Sequence, residues 1–183
     1  MHRPFHRCAR SGMTLIEVTI AMGVLTVAVF LFTGVVASSS RIGSEKRQQS
    51  VAAHAARSIL ERLRGAAFAS VWTNYNAQPL DDPLGPGSAA GANFAVPGLD
   101  PRPDDPDGFV GRISLPEQLG ALREDANDPA LGLPRDLDGD SIVDEEDHRG
   151  DYRILPVKVE IAWQSPLGPR RIEMFTMLAP TED

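Results

Sequence analysis

Residues 13–36 read MTLIEVTIAMGVLTVAVFLFTGVV, an apolar run of 24 residues that contains one charged side chain, Glu17. Its other polar side chains are those of four threonines. A helix of about 20 apolar residues spans the hydrocarbon core of a bilayer, so the run predicts a transmembrane helix over 13–37. Because three arginines precede the run within residues 1–12, the positive-inside rule predicts a cytoplasmic N-terminus and an extracytoplasmic C-terminal part.

Glu17 is the residue of this run that needs an explanation. A charged side chain in a membrane helix costs about 2.5–3.5 kcal/mol near the bilayer centre, and intramembrane carboxylates are functional by default. If the chain were cleaved between Gly12 and Met13, the new α-amino group would lie one helical turn from Glu17, at i and i+4. It would neutralise the carboxylate of its own chain or of a neighbouring subunit. Glu17 is therefore the candidate assembly residue.

The segment Ser11-Gly12-Met13-Thr14-Leu15-Ile16-Glu17-Val18 resembles the cleavage and methylation motif of type IV prepilins and type II secretion pseudopilins. The resemblance implies that a prepilin peptidase removes the basic leader, residues 1–12, and methylates Met13, where phenylalanine is commonest in the family. It implies a single-pass protein of the bacterial cytoplasmic (inner) membrane with an extracytoplasmic head, not an enzyme. Its partners would be the peptidase, other pilin or pseudopilin subunits, the inner-membrane assembly platform and the lipid bilayer.

Several alternatives to this interpretation stay open. In one alternative the apolar run is a plain signal anchor, but Glu17 would then have no partner. In another, signal peptidase cleaves the chain near Ala37, but the apolar run is longer than that of an ordinary secretory signal. The filament could belong to a type IV pilus or to a type II secretion system. In either filament, we expect the chain to be a minor subunit. A membrane-anchored, calcium-binding extracytoplasmic domain that never polymerises is the alternative from another functional class.

The helical pattern continues into a charged region after Ser40. Val51, Ala55, Ile59 and Leu63 recur at a spacing of four residues, which predicts an amphipathic helix over 38–75 whose apolar stripe packs on a head domain. No proline occurs between Pro4 and Pro79, so we expect the helix to run without a break to about Trp72.

The head, residues 76–183, begins with a long loop and ends with a strand pattern. Residues 76–108 include seven prolines and five glycines and predict a surface loop with a short strand at 93–96. A strand is expected over 109–115. Apolar and polar residues alternate over 152–164 and again over 170–178, which predicts an antiparallel hairpin with a turn at 165–169. The expected fold class is α+β, a long N-terminal helix packed on a small antiparallel sheet.

An acidic loop lies within the head. Residues 100–151 hold 16 of the 25 acidic residues, and the loop over 136–147 reads DLDGDSIVDEED. Counted from the first aspartate, the positions match the ligands of an EF-hand-type calcium loop, which holds Ca²⁺ with six to eight oxygens. The predicted structural Ca²⁺ site consists of carboxylates at five positions and one backbone carbonyl: Asp136, Asp138, Asp140, Asp144, Asp147 and the carbonyl of Ile142. The alternative is a solvated acidic loop without an ion.

The remaining composition argues against other functions. Loss of the three leader arginines would take the formal net charge from −7 to −10, whereas nucleic-acid binding requires a basic surface. The single cysteine, Cys8, follows no apolar stretch, so lipidation is not expected. No nucleotide-binding, metalloprotease or nucleophile-elbow motif occurs. His54 is expected at the surface, and His148 is expected to be a bystander of the acidic loop and not a ligand.

Overall fold

The computed structural model describes residues 13–180. Met13 is therefore described, whereas the leader with Gly12 lies outside the described residues. The chain divides into two compact units, the first ending at Gly43 and the second beginning at Ser44.

Within residues 13–180, two α-helices and six strands form the fold. Helix α1 spans Leu15–Gly65 and α2 spans Phe68–Tyr75. The strands, in chain order, are β1 (Asn93–Phe94), β2 (Gly111–Ser114), β3 (Glu117–Gln118), β4 (Ala121–Leu122), β5 (Leu155–Ser165) and β6 (Gly168–Leu178). Four strands form an antiparallel sheet in the order β1-β2-β5-β6, and β3 pairs with β4. The α+β fold is therefore confirmed.

The first unit contains the apolar part of α1. This helix is long and apolar enough to cross a membrane, with a mean hydropathy of 2.4 over its most apolar window. Three of its threonines, Thr19, Thr26 and Thr33, donate their hydroxyls to the backbone carbonyl four residues earlier at 2.8–2.9 Å. Because these hydroxyls bond within the helix, they need no partner from outside it.

The second unit is built around one hydrophobic core. The later turns of α1 contribute an apolar stripe, and β5 contributes every second residue. Helix α2 adds Val71, Trp72 and Tyr75. The buried members of the stripe and of β5 are Ala52, Ala56, Ile59, Leu60, Leu63, Leu155, Val157, Val159, Ile161 and Trp163. The expected packing of the amphipathic helix on the sheet is thus observed, and His54 is exposed as expected.

Polar contacts also join α1 to the edge strand β6. Arg170 of β6 forms an ion pair with Glu45 of α1. The guanidinium of Arg64 donates to the Thr176 hydroxyl at 3.1 Å. These contacts lie at the two ends of β6, so they align the strand along the helix.

The boundaries of several elements differ from the expected ones. Helix α1 ends at Gly65, because glycine is a poor helix former, and the chain restarts as α2 in a direction that buries Trp72. The strands expected over 93–96 and 109–115 shorten to β1 and β2. The hairpin pairs from Leu155↔Leu178 to Ser165↔Gly168, so its loop contains two residues instead of five; Gly168, with φ of +116°, permits this tighter turn.

Candidate functional site

The first turn of α1 holds Glu17 in a capping box. The Thr14 backbone N–H and its hydroxyl both donate to Glu17 Oε2 at 3.1 Å, and the Glu17 N–H donates to the Thr14 hydroxyl at 3.4 Å. This reciprocal pairing is a standard way to satisfy backbone donors at a helix N-terminus. Glu17 therefore has a local structural role in addition to any pairing with an amino terminus.

Glu17 begins one face of the apolar helix. At about 100° per residue, the positions that follow it at alternating spacings of four and three residues share its face. The three threonines with internal hydroxyl bonds lie on the opposite face. The residues that share the face of Glu17 are small or aliphatic: Ala21, Val24, Ala28, Leu31 and Val35.

The second candidate region is the acidic loop, whose carboxylates accept hydrogen bonds from backbone N–H groups of the same loop. Asp136 accepts from the N–H groups of Gly139 and Ser141 at 2.5 and 2.8 Å. Asp138 and Asp140 each accept from the N–H two residues later, at 3.0 and 2.7 Å. The carboxylates thus tighten the loop into successive turns.

Glu124 connects this loop to the segment that follows β4. Its Oε1 accepts from the backbone N–H groups of Leu137 and Asp138 at 2.5 and 3.2 Å. Its backbone carbonyl accepts from Arg135 N at 3.0 Å, and His148 N donates to the Leu122 carbonyl at 3.0 Å. Both ends of the acidic loop are therefore attached to the 122–124 segment.

Three overlapping groups of side chains in this region could hold a metal ion. The ligand atoms of each group lie within 4.8 Å of one another: Glu124 with Asp136 and Asp138, Glu124 with Asp144 and His148, and Asp138 with His148 and Asp151. We refer to the six residues of these groups together as the acidic cluster. Glu124 belongs to two of the groups and is fully buried.

His148 lies among four carboxylates. Its Nε2 is 3.1 Å from Asp144 Oδ1 and 3.9 Å from Glu124 Oε2. Its Nδ1 is 3.3 Å from Asp151 Oδ1 and 3.8 Å from Asp138 Oδ2. The ring is buried, so the expectation that His148 is a bystander does not agree with its position.

The electrostatics of the cluster follow from these contacts. Burial by itself would lower the pKa of His148, but the hydrogen bond to Asp144 and the charges of Glu124 and Asp151 outweigh it and raise that pKa. The N–H groups of Gly139 and Ser141 lower the pKa of Asp136 in spite of some desolvation. The Glu146 N–H and His148 lower the pKa of Asp144. The contacts thus favour the ionised forms of Asp136 and Asp144 and shift His148 toward its protonated form.

The structure brings together part of the predicted calcium set. Asp136, Asp138 and Asp144 belong to the acidic cluster. Within residues 13–180, none of the three groups includes Asp140 or Asp147, and these groups do not bear on the carbonyl of Ile142. Asp147 instead pairs with Arg149 at 2.6 Å and accepts from Leu122 N at 3.2 Å. Partial burial by itself would raise the pKa of Asp147, but these contacts outweigh it and lower that pKa.

The sequence analysis missed Glu124 and Asp151. In the structure Leu122, Glu124 and Ala126 are all buried while the residues between them are partly exposed, but the sequence places Glu124 between two charged residues and gives no sign of its burial. A carboxylate at a buried position of such an alternating pattern requires a partner. Asp151 is exposed and has no sequence signal either.

No protein-family model, curated protein or solved structure matches the chain. The function proposed for the chain therefore rests on the chain's own residues.

Proposed function

We propose that the chain is a structural subunit of a pilin-like or pseudopilin filament, cleaved after Gly12 and assembled through the apolar part of α1. The observation that carries the proposal is the exposure of this helix together with the carboxylate at its start. From Leu15 to Val36 every residue is exposed, and a surface this apolar must be covered by lipid or by other helices. A bilayer followed by a bundle of like helices supplies both environments.

The face that begins with Glu17 is suited to helix packing. Its members, Glu17, Ala21, Val24, Ala28, Leu31 and Val35, follow the alternating spacing of a coiled-coil seam, and alanine permits close approach of two helices in a membrane. A positively charged amino terminus at Met13 of a neighbouring subunit would neutralise Glu17 and set the axial position of the two helices. Prepilin peptidase, other subunits, the inner-membrane assembly platform and the lipid bilayer are the partners this function requires.

A second candidate function follows from the capping box. Because Thr14 satisfies the Glu17 carboxylate locally, Glu17 is explained without a filament, and the chain would then be a membrane-anchored extracytoplasmic domain that does not polymerise. The two functions differ in what they require of Glu17. A filament subunit requires its negative charge, whereas the capping box requires only an acceptor oxygen.

This difference can be tested with the substitutions Glu17→Gln and Thr14→Ala. Glutamine keeps the acceptor of the capping box and removes the charge, whereas Thr14→Ala removes the cap and keeps the charge. For a filament subunit, we expect Glu17→Gln to abolish incorporation into filaments and Thr14→Ala to retain it. The measurement is recovery of the subunit in sheared or purified filaments from its native host.

Processing and membrane insertion provide the control for this test. The wild-type mature chain should begin at Met13 and carry one added methyl group in intact-mass analysis, and both variants should begin at Met13 and fractionate with the membrane. If Glu17→Gln assembles as well as the wild type, the charge is not needed and the anchored-domain function is favoured. If the Glu17→Gln strain loses its pili, the filament belongs to a type IV pilus. If it loses protein secretion, the filament belongs to a type II secretion system.

A further inference from the structure

The acidic cluster of the head has the features of a cation site. We infer that it binds one divalent cation of the oxygen-preferring class, Ca²⁺, and that Glu124, which lies outside the acidic loop, is its central ligand. The inference holds whether or not the chain assembles into a filament, because every residue of the cluster lies in the second unit.

The buried side chain of Glu124 is the observation that points to a ligand independently of the acidic loop. The residue is fully buried, and its Oε2 has no hydrogen-bond partner. The same oxygen faces the cluster, since it lies 3.9 Å from His148 Nε2. A buried carboxylate oxygen without a hydrogen-bond partner is strongly unfavourable, and a cation held by Glu124 together with other carboxylates of the acidic cluster would satisfy it.

The chemistry of the donors selects the class of ion. The group formed by Glu124, Asp136 and Asp138 offers only carboxylate oxygens, and Asp144 adds another at the adjacent group. Hard oxygen donors favour Ca²⁺, Mg²⁺ or Mn²⁺ over the softer metals that prefer thiolate. Ca²⁺ is favoured among these because it accepts six to eight oxygens in irregular geometry, whereas Mg²⁺ requires a near-octahedral shell.

His148 borders the acidic cluster next to Glu124 but lies outside the proposed set of ligands. Each ring nitrogen faces a carboxylate oxygen, Nε2 facing Asp144 at 3.1 Å and Nδ1 facing Asp151 at 3.3 Å. Nε2 forms a hydrogen bond with Asp144, whereas the buried Nδ1 has no hydrogen-bond partner among the described residues. We place the cation in the group of Glu124, Asp136 and Asp138 because that group offers only hard oxygen donors.

The bound ion would connect two segments that are distant in the chain. The backbone bonds from Arg135 and His148 to the 122–124 segment already close the base of the acidic loop. A cation bound by Glu124, Asp136 and Asp138 would also hold the inner part of the acidic loop together, because it would offset the repulsion between the carboxylates there. Binding of the ion would therefore stabilise the folded head.

The test is a Ca²⁺ titration of the full chain in detergent after removal of metals with a chelator. We expect one bound ion per chain by calorimetry, with a dissociation constant of about 10⁻⁴–10⁻³ M. At Ca²⁺ tenfold above that constant, the melting temperature of the head should rise by about 3–6 °C. Glu124→Gln should weaken binding by about tenfold or more, because it removes the charge of the central ligand while it keeps an oxygen.

Three further variants make the test specific. Asp138→Asn should weaken Ca²⁺ binding to a similar extent. This variant tests the site even if Glu124→Gln does not fold. Glu146→Gln removes a charge from the same loop but outside the acidic cluster and should change the dissociation constant by less than about twofold. His148→Gln should retain Ca²⁺ binding, because the ring is not a ligand.

Several results would overturn the inference. Absence of both heat and a melting shift at about 10 mM Ca²⁺, tenfold above the weakest expected constant, would exclude the site. Unchanged affinity in both Glu124→Gln and Asp138→Asn would place any bound calcium elsewhere. Tighter binding of Zn²⁺ than of Ca²⁺, abolished by His148→Gln, would replace the calcium site by a nitrogen-containing zinc site.

Discussion

Ser141 is the position in the acidic loop where the backbone is under the most evident strain. Its φ is +74°, in the left-handed region that costs a residue with a Cβ about 1–2 kcal/mol. It occupies the sixth position of the calcium-type loop, where EF-hand loops use glycine. The conformation is held by the hydrogen bond from Ser141 N to Asp136 Oδ2 at 2.8 Å.

Ser141→Gly should therefore stabilise the head. Relief of the left-handed strain is partly offset by the larger entropy of glycine in the unfolded chain, so we expect a gain of about 0.5–1 kcal/mol in the free energy of unfolding. Thermal unfolding by circular dichroism measures it, with Ca²⁺ affinity as a second readout that should rise or stay equal.

Gly139→Ala is the reciprocal control for Ser141→Gly. Gly139 has φ of +84°, and an added Cβ would meet only Arg153, at an ordinary contact distance of 3.5 Å. The substitution should therefore destabilise the head by about 1 kcal/mol through backbone strain alone. Equal stability of all three chains would show that the loop backbone relaxes away from the left-handed region.

The short strands β1 and β2 are joined by a carboxylate from the loop between them. Asp107 Oδ2 accepts from Asn93 at 3.0 Å and from Arg112 at 2.6 Å, and these two residues are direct cross-strand partners. Asp107 Oδ1 accepts from Phe109 N at 3.0 Å. The Phe109 N–H and the Arg112 guanidinium lower the pKa of Asp107, so its ionised form stabilises this edge of the sheet.

Asp107→Asn should change how stability depends on pH. A carboxylate with a lowered pKa in the folded state adds stability above its ordinary pKa, and this contribution is lost as the pH falls through the lowered value. We expect the variant to be less stable by about 1 kcal/mol at pH 7 and to approach the wild type in acid. Melting temperatures between pH 7 and pH 3 measure this, with the exposed Asp100→Asn as control. A constant difference over the whole range would mean that the charge of Asp107 contributes nothing.

The two compact units have different solvation requirements. The residues of the hydrophobic core all lie at Ala52 or later, whereas the helix from Leu15 to Val36 exposes its apolar side chains. A fragment of residues 44–183 should therefore fold and remain soluble without detergent. Its circular dichroism spectrum and a cooperative thermal transition test this prediction.

The matched control for this fragment begins at residue 66. It lacks the buried stripe of α1, Ala52, Ala56, Ile59, Leu60 and Leu63, and exposes the sheet surface that the stripe covers. Loss of several core side chains of this size exceeds the stability of a typical domain, so the shorter fragment should aggregate or stay unfolded. Aggregation of the 44–183 fragment as well would mean that the head needs the apolar helix.

Most elements of the molecule were predictable from local patterns. The apolar run of 13–36 predicts a helix by length alone, and the alternation over 152–164 predicts β5 because one face of that strand is buried. The end of α1 at Gly65 was not predicted, because the 50–64 stripe and the buried residues of α2 look continuous along the chain. The poor helix propensity of Gly65 and the burial of Trp72 in the core separate the two helices.

The apolar helix with Glu17 in its first turn, the amphipathic stripe, the hairpin and the acidic loop follow from the sequence alone, since each depends on residues close together in the chain. Only the tertiary structure placed Glu124, His148 and Asp151 beside Asp136, Asp138 and Asp144. Glu124 precedes the loop by twelve residues, and its approach depends on backbone hydrogen bonds from Leu137 and Asp138 that no local pattern encodes. The candidate cation site is therefore a property of the folded head, because its central carboxylate reaches the loop only when the core has formed.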